Sequence, residues 1–183
     1  MKNDLQLIIA GFGGQGILFA GKLLTHSAML EGRHVTGFPS YGAEIRGGIV
    51  NCTVIISDEM IGSPIIHSPN SLLVMNQASR ERFESQLKPR GLFIMNTSLI
   101  KDPANRTDIE IIGINATDIA EELGNSNVAN MVMLGALIGR TGIINTETIF
   151  SAMKEVIPKH RKNIIQLNET AFKKGVAHIT HNV

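Results

Sequence analysis

The stretch LQLIIAGFGGQGILFAGKLL, Leu5 to Leu24, decides the fold. Its first part, Leu5 to Ala10, is a short continuous apolar run closed by glycine, the pattern of a parallel strand buried on both faces. From Ile17 the pattern changes: Leu18, Ala20, Leu23, Leu24, Ala28 and Leu30 recur at helical spacing until Gly32 stops them. Between the two lies GFGGQG, Gly11 to Gly16. A glycine turn from a buried strand into a helix opens an α/β domain, and that strand is expected at the centre of its sheet.

Working outward, His34 to Phe38 reads as a second strand that Pro39 ends, followed by an irregular segment, SYGAEIRGG, at Ser40 to Gly48. Ile49 to Ser57 is a long β-type run, and SDE at 57 to 59 is expected to turn it back into Ile61 to Ile66 as an antiparallel hairpin. Strands at Leu72–Asn76, Leu92–Asn96 and Glu110–Asn115 follow. They alternate with a helix at Ser79–Leu87 and precede helices at Thr117–Leu123, Val128–Arg140, Thr146–Val156 and Lys162–Gly175. The expectation is a doubly wound, mostly parallel, Rossmann-like α/β sheet with an antiparallel hairpin, and residues 1–183 as a single domain.

Composition narrows the function. Seventeen Lys and Arg against sixteen Asp and Glu leave a formal charge of +1, too weak a field to draw nucleic acid or an acidic membrane over a distance. Aromatics at 4% leave little for stacking bases. A single cysteine, Cys52, excludes an internal disulfide and a cysteine-ligated cluster held by this chain alone. Cys52 alternates with Val50, Val54 and Ile56 and reads as a small core residue. The apolar run before the glycines is too short for a secretory leader, and no span reaches the ~20 residues of a membrane helix. A cytoplasmic chain with no nucleic-acid or membrane partner is expected.

Two segments carry chemistry. In GFGGQG, glycine permits positive φ and lets backbone N–H groups approach an anion at a helix N-terminus. A complete dinucleotide site needs an acid about 20 residues on, at the end of the second strand, to hold a ribose. That strand ends in Thr36, Gly37 and Phe38, with Glu31 too early, so the adenosine half is missing. A Walker loop is excluded, because no Lys-Ser or Lys-Thr follows the glycines. The turn reads equally as a ligand site or a tight structural turn. SYGAEIRGG places Ser40, Tyr41, Glu44 and Arg46 together and is expected beside the glycine turn at the carboxyl end of the sheet. Arg46 can fork onto a carboxylate or phosphate, with Tyr41 and Glu44 orienting it; an Arg46–Glu44 pair pinning a surface loop is the alternative.

Elsewhere the readings are plainer. Val128 to Gly139 has no charge and must be covered on more than one side, either as a central helix or, the favoured reading, as a subunit interface in which Gly135 and Gly139 let a backbone approach. KHRK at Lys159 to Lys162 reads as a solvated helix start. His178 and His181 lie at an end expected to fray, and no metal is assigned.

Taken in order, GFGGQG at Gly11, PSYGAEIRGG at Pro39, NCTVIISDEMIGSP at Asn51 and NMVMLGALIG at Asn130 resemble the gamma subunit of 2-oxoacid:ferredoxin oxidoreductases, in the pyruvate/ketoisovalerate gamma-domain family. The form of the loop is similar to the 2-oxoglutarate and 2-oxoisovalerate branches, from which Ala43 departs where proline is frequent. The resemblance implies a complex that oxidatively decarboxylates a 2-oxoacid, 2-oxoglutarate foremost, to its acyl-CoA and passes electrons to ferredoxin or a similar acceptor. It implies thiamine diphosphate, magnesium, coenzyme A and [4Fe-4S] clusters on other subunits, with alpha, beta and delta subunits as partners. This chain alone would then bind no cofactor tightly and be inactive, assembling if at all as a homo-oligomer. It further implies that Gly11, Gly13, Gly14, Gln15, Gly16, Ser40, Tyr41, Glu44 and Arg46 face the thiamine site and coenzyme A path, with no catalytic residue. The open alternatives are a subunit of indolepyruvate oxidoreductase and a free-standing nucleotide-binding module.

Overall fold

The computed structural model describes residues 4–41, 48–102, 104 and 106–181, with Tyr41, Lys159, Arg161 and His181 described in their backbone alone. Strand β1 (Leu5–Phe12) runs through the glycine turn into helix α1 (Ile17–Leu30), which Gly32, at φ 73°, ends. The other strands are β2 (His34–Tyr41), β3 (Ile49–Ser57), β4 (Ser71–Val74), β5 (Leu92–Asn96) and β6 (Glu110–Ile114). They form one six-stranded sheet in the order β2-β3-β1-β4-β5-β6. β1, β4, β5 and β6 are mutually parallel, while β3 is antiparallel to both β1 and β2.

β1 is apolar except for Gln6 because both its faces are covered. Leu5, Leu7 and Ile9 point into the larger core with α1, and Ile8 and Ala10 into a smaller one with Phe83, Leu87 and Phe93. The larger core also takes helices α3 (Ala116–Glu122), α4 (Ala129–Thr141), α5 (Thr146–Val156) and α6 (Ile165–His181). The second face carries α2 (Gln77–Phe83), with Ile100, Ala104 and Ile109 from the loop after β5 packed beside it.

Four expectations are corrected. The antiparallel pairing joins β2 to β3, not Ile49–Ser57 to Ile61–Ile66, because β3 has both edges occupied by β1 and β2. The segment after it forms no strand, with Gly62 and Pro64 inside it and Met60 and Ile65 exposed. Pro39 does not end β2, which pairs on through Tyr41; β2 is an edge strand, where proline's missing donor is tolerated. The charge-free helix α4 is covered by its own chain, not held for a subunit interface. Residues Ala129 to Ile138 are all buried, and α4 packs chiefly on α6. A Cβ on Gly135 would overlap the Phe172 carbonyl oxygen and one on Gly175 the Val132 carbonyl oxygen, so the two helices meet backbone to backbone. Helix α6 also continues to His181 without fraying, with His178 Nε2 3.0 Å from the Gly113 carbonyl oxygen of β6.

Candidate ligand cleft at the glycine turn

The sheet register brings the glycine turn and the first two residues of the second segment, Ser40 and Tyr41, to one end of the sheet. Tyr41 pairs with Val50 and Val50 with Gly11, while Ser40 pairs with Asn51 and Phe12 with Ile49. With strands ~4.8 Å apart, the backbones of Tyr41 and Gly11 lie ~10 Å from each other. Gly11, Gly13, Gly14, Gln15, Gly16, Ser40 and Tyr41 therefore share the carboxyl end of β1. Glu44 and Arg46 lie outside the described residues.

Each glycine of the turn has its own reason. Gly14 at φ 93° and Gly16 at φ 72° occupy left-handed backbone. Gly11 needs space instead, since a Cβ there would stand 2.7 Å from both Gln15 Oε1 and Ile17 Cδ1. Gln15 folds back inside the turn, its Oε1 accepting from the Phe12 N–H at 2.7 Å and from Asn76 Nδ2 at 2.9 Å. Asn76 in turn caps α2 by accepting from the Ser79 N–H at 2.9 Å. One strand further, Asn96 Nδ2 donates to the Met75 carbonyl at 3.3 Å and to Thr117 Oγ1 at 2.9 Å. A polar chain thus runs along the carboxyl edge of β1, β4 and β5. Sequence reasoning missed it, although LLVMN at 72–76 and LFIMN at 92–96 close two similar apolar runs on asparagine.

Electrostatically the turn is open to negative charge. Helix α1 has no side-chain cap and no acid in its first turn. Gln15 N–H donates to the Phe12 carbonyl at 3.2 Å, but among the described residues the N–H groups of Gly14, Gly16, Ile17, Leu18 and Phe19 have no backbone acceptor. From the other side Asn130 of α4 donates Nδ2 to the Gly16 carbonyl at 3.1 Å and holds the turn in place. Asn130 is 5% exposed, and its Oδ1 has no partner.

Gly14, Gly16 and Asn130 line a cleft of about 830 Å³ that extends between α1, the start of α4 and the link from α5 to α6. Lys22, Asn127, His160 and Asn163 line it too, and among the described residues no carboxylate does. None of those four was expected to line a ligand site; Asn127, with Asn130, is read from the sequence as loop-side support for a subunit interface. The four are scattered singly through the sequence, and KHRK reads as mere solvation until the 3-10 turn at Lys159–Ile164 brings His160 to the cleft. Glu31, the acid too early for a ribose, accepts the Asn145 N–H at 2.8 Å at the start of α5.

Among the described residues nothing suits an iron–sulfur cluster. Cys52 is buried, its thiol pushed up to about 11 by desolvation, and among the described residues no three metal-ligating side chains converge. Nor is any described helix long and apolar enough to cross a membrane.

The profile of the pyruvate ferredoxin/flavodoxin oxidoreductase family matches residues 6–178. The chain belongs to this family. Among its relatives it is 39% identical over 143 residues to the ketoisovalerate oxidoreductase subunit VorA of Methanothermobacter marburgensis, covering 77% of this chain and 30% of that one. It is 35% identical over 180 residues to the 2-oxoglutarate synthase subunit KorC of Methanocaldococcus jannaschii, covering 96% of this chain and 92% of that one. The chain thus spans under a third of the first relative and nearly all of the second. Among solved structures of the family, the gamma subunit of a keto/oxoacid ferredoxin oxidoreductase from Geobacter sulfurreducens superposes with a TM-score of 0.82 at 28% identity, covering 97% of this chain and 99% of that one. The 2-oxoglutarate:ferredoxin oxidoreductase of Magnetococcus marinus, described with 2-oxoglutarate, coenzyme A and succinyl-CoA bound, superposes with a TM-score of 0.91 at 25% identity, covering 100% of this chain and 32% of that one.

Proposed function

We propose that this chain is the gamma subunit of a cytoplasmic 2-oxoacid:ferredoxin oxidoreductase that converts 2-oxoglutarate to its acyl-CoA. The observation that carries the reading is the end-to-end match to KorC subunits of 2-oxoglutarate synthases, which leaves almost none of either chain over. In the relatives where this domain is about a third of a longer chain, the rest of that chain stands where separate partner subunits would here. Residues 1–183 act as one domain throughout.

Thiamine diphosphate would supply the carbanion chemistry and [4Fe-4S] clusters the electron path to ferredoxin, both from alpha, beta or delta partners. The buried, protonated Cys52 and the absence of converging ligands among the described residues support that division. This chain's own part is electrostatic. The uncapped start of α1 and the free N–H groups of the glycine turn offer positive potential to an anionic group brought to the carboxyl end of β1. Gln15 keeps the turn in shape through its oxygen, and Ser40, Tyr41, Glu44 and Arg46 are the further residues assigned to contact that group. The isolated chain would be catalytically silent.

The test is to purify the native complex and measure coenzyme A-dependent viologen reduction with a panel of 2-oxoacids. Activity foremost with 2-oxoglutarate is expected, with thiamine- and cluster-bearing chains co-purifying. No reduction with any 2-oxoacid would sink the reading.

A further inference from the structure

We infer that Asn76, between β4 and α2, is a positioning residue: its amide fixes which way the Gln15 amide faces, so that Gln15 presents Nε2 as a hydrogen-bond donor at the carboxyl end of β1. What this donor does in turnover rests on the function proposed above; the orientation itself rests on this chain alone.

A side-chain amide fits a site in two ways, and here backbone N–H groups, which can only donate, decide between them. Ser79 N–H lies 2.9 Å from one Asn76 amide atom, which must therefore be Oδ1. That leaves Nδ2 to meet Gln15, at 2.9 Å. Phe12 N–H meets the same Gln15 atom at 2.7 Å, so this atom is Oε1. With its oxygen taken by two donors, Gln15 has only Nε2 to offer outward. Nε2 makes no hydrogen bond among the described residues, yet it is not one of their buried unpartnered atoms, and Gln15 is half-buried. It therefore reaches solvent.

The surroundings hold this arrangement. Gly11 leaves the space that the oxygen fills, since a Cβ there would stand 2.7 Å from Oε1. Asn76 is 3% exposed and follows Met75, whose N–H donates to the Ala10 carbonyl at 2.9 Å and whose carbonyl accepts from Asn96 Nδ2 at 3.3 Å. Turning the Gln15 amide over would set Nε2 against two donors and strand both, one of them on a side chain with almost no access to water. The outward Nε2 therefore selects an acceptor oxygen in the group it meets and repels a donor. Both 2-oxoglutarate and coenzyme A carry such oxygens, and the experiment separates the two.

Two substitutions distinguish positioning from support. Asn76→Asp keeps the oxygen that caps α2 but has no amino group for Gln15, whose Nε2 then turns inward to the new carboxylate. Gln15→Glu keeps the accepting oxygen and replaces the outward donor with an acceptor. In the isolated full-length chain, hydrogen exchange followed by NMR should find the Gln15 Nε2 protons open to water in the parent and about tenfold slower to exchange in Asn76→Asp, with an unchanged thermal midpoint. In the native complex each variant should raise KM about tenfold for one substrate, 2-oxoglutarate or coenzyme A, with kcat little changed. The substrate affected is the one whose oxygen Gln15 meets. Parent-like exchange in Asn76→Asp, or unchanged KM for both substrates in both variants, would overturn the inference and leave Asn76 a helix cap alone. So would a fall in kcat together with the thermal midpoint, the mark of a general brace. If even the parent complex turned over no 2-oxoacid, the assembly reading would fail, and the exchange result would still decide the orientation.

Discussion

The glycine turn at Gly11–Gly16 and the α4–α6 crossing at Gly135, Gly139 and Gly175 use the same residue for opposite ends. In the turn, Gly13 and Gly14 are exposed and a Cβ on either would meet nothing within 4 Å. In the crossing, a Cβ on Gly135 or Gly175 would overlap the partner helix's carbonyl oxygen, and α4 is sealed from solvent over Ala129–Ile138. One glycine set leaves backbone donors exposed at the surface, and the other removes side chains so that two helices can bury each other. Glycine richness therefore does not mark a site by itself; what stands opposite each missing Cβ does.

The sharpest way to break this contrast is Gly135→Ala. Its new methyl meets backbone that cannot rotate aside, and the α4–α6 contact must open at a cost of ~3 kcal/mol. Urea unfolding should show that loss, and a change under 1 kcal/mol would refute the backbone-to-backbone account. Next comes Gly16→Ala, which combines left-handed φ with a clash on Asn130 and should cost ~2 kcal/mol. Its unfolding midpoint is therefore expected between those of Gly135→Ala and the parent.

Gly21 is an intermediate case, with ordinary φ but a Cβ position 2.5 Å from Cys52 Sγ. That packing should leave Cys52 unlabelled by a disulfide reagent at pH 8 in the native chain and labelled at once in urea. Because burial raises the folded thiol to about 11 from 9.0, its stabilising effect is complete below pH 9 and lost as pH climbs through about 11. Rapid native labelling at pH 8 would contradict the packing. The smallest effect is expected of Gly13→Ala, within ~0.5 kcal/mol of the parent, since its Cβ projects into open space. A large destabilisation there would mean that the turn is a packing device like the helix crossing.

Local chemistry accounts for how much could be read before the structure. The strand, turn and helix from Leu5 to Leu30, the central place of that strand and the bounds of Leu92–Asn96 and Thr146–Val156 follow from apolar period and glycine stops, which act between near neighbours. The misread hairpin shows the limit. Ile49–Ser57 was visible as a strand, but pairing depends on which edges remain free, and β1 and β2 take both. Likewise the charge-free run at Val128 announced burial without naming its cover, because the matching glycine, Gly175, lies on a helix distant in sequence.

The candidate site divides along the same line. Its glycines and the neighbouring Ser40–Tyr41 were legible, since backbone conformation and motif order are written in consecutive residues. The cleft was not: Lys22, Asn127, Asn130 and His160 come from α1, α4 with the turn before it, and the link before α6. Periodicity says which residues turn inward, but not which inward surfaces face one another. That is set by the packing of five helices on one side of the sheet, where close approach of α4 to α6 leaves the opening at the glycine turn.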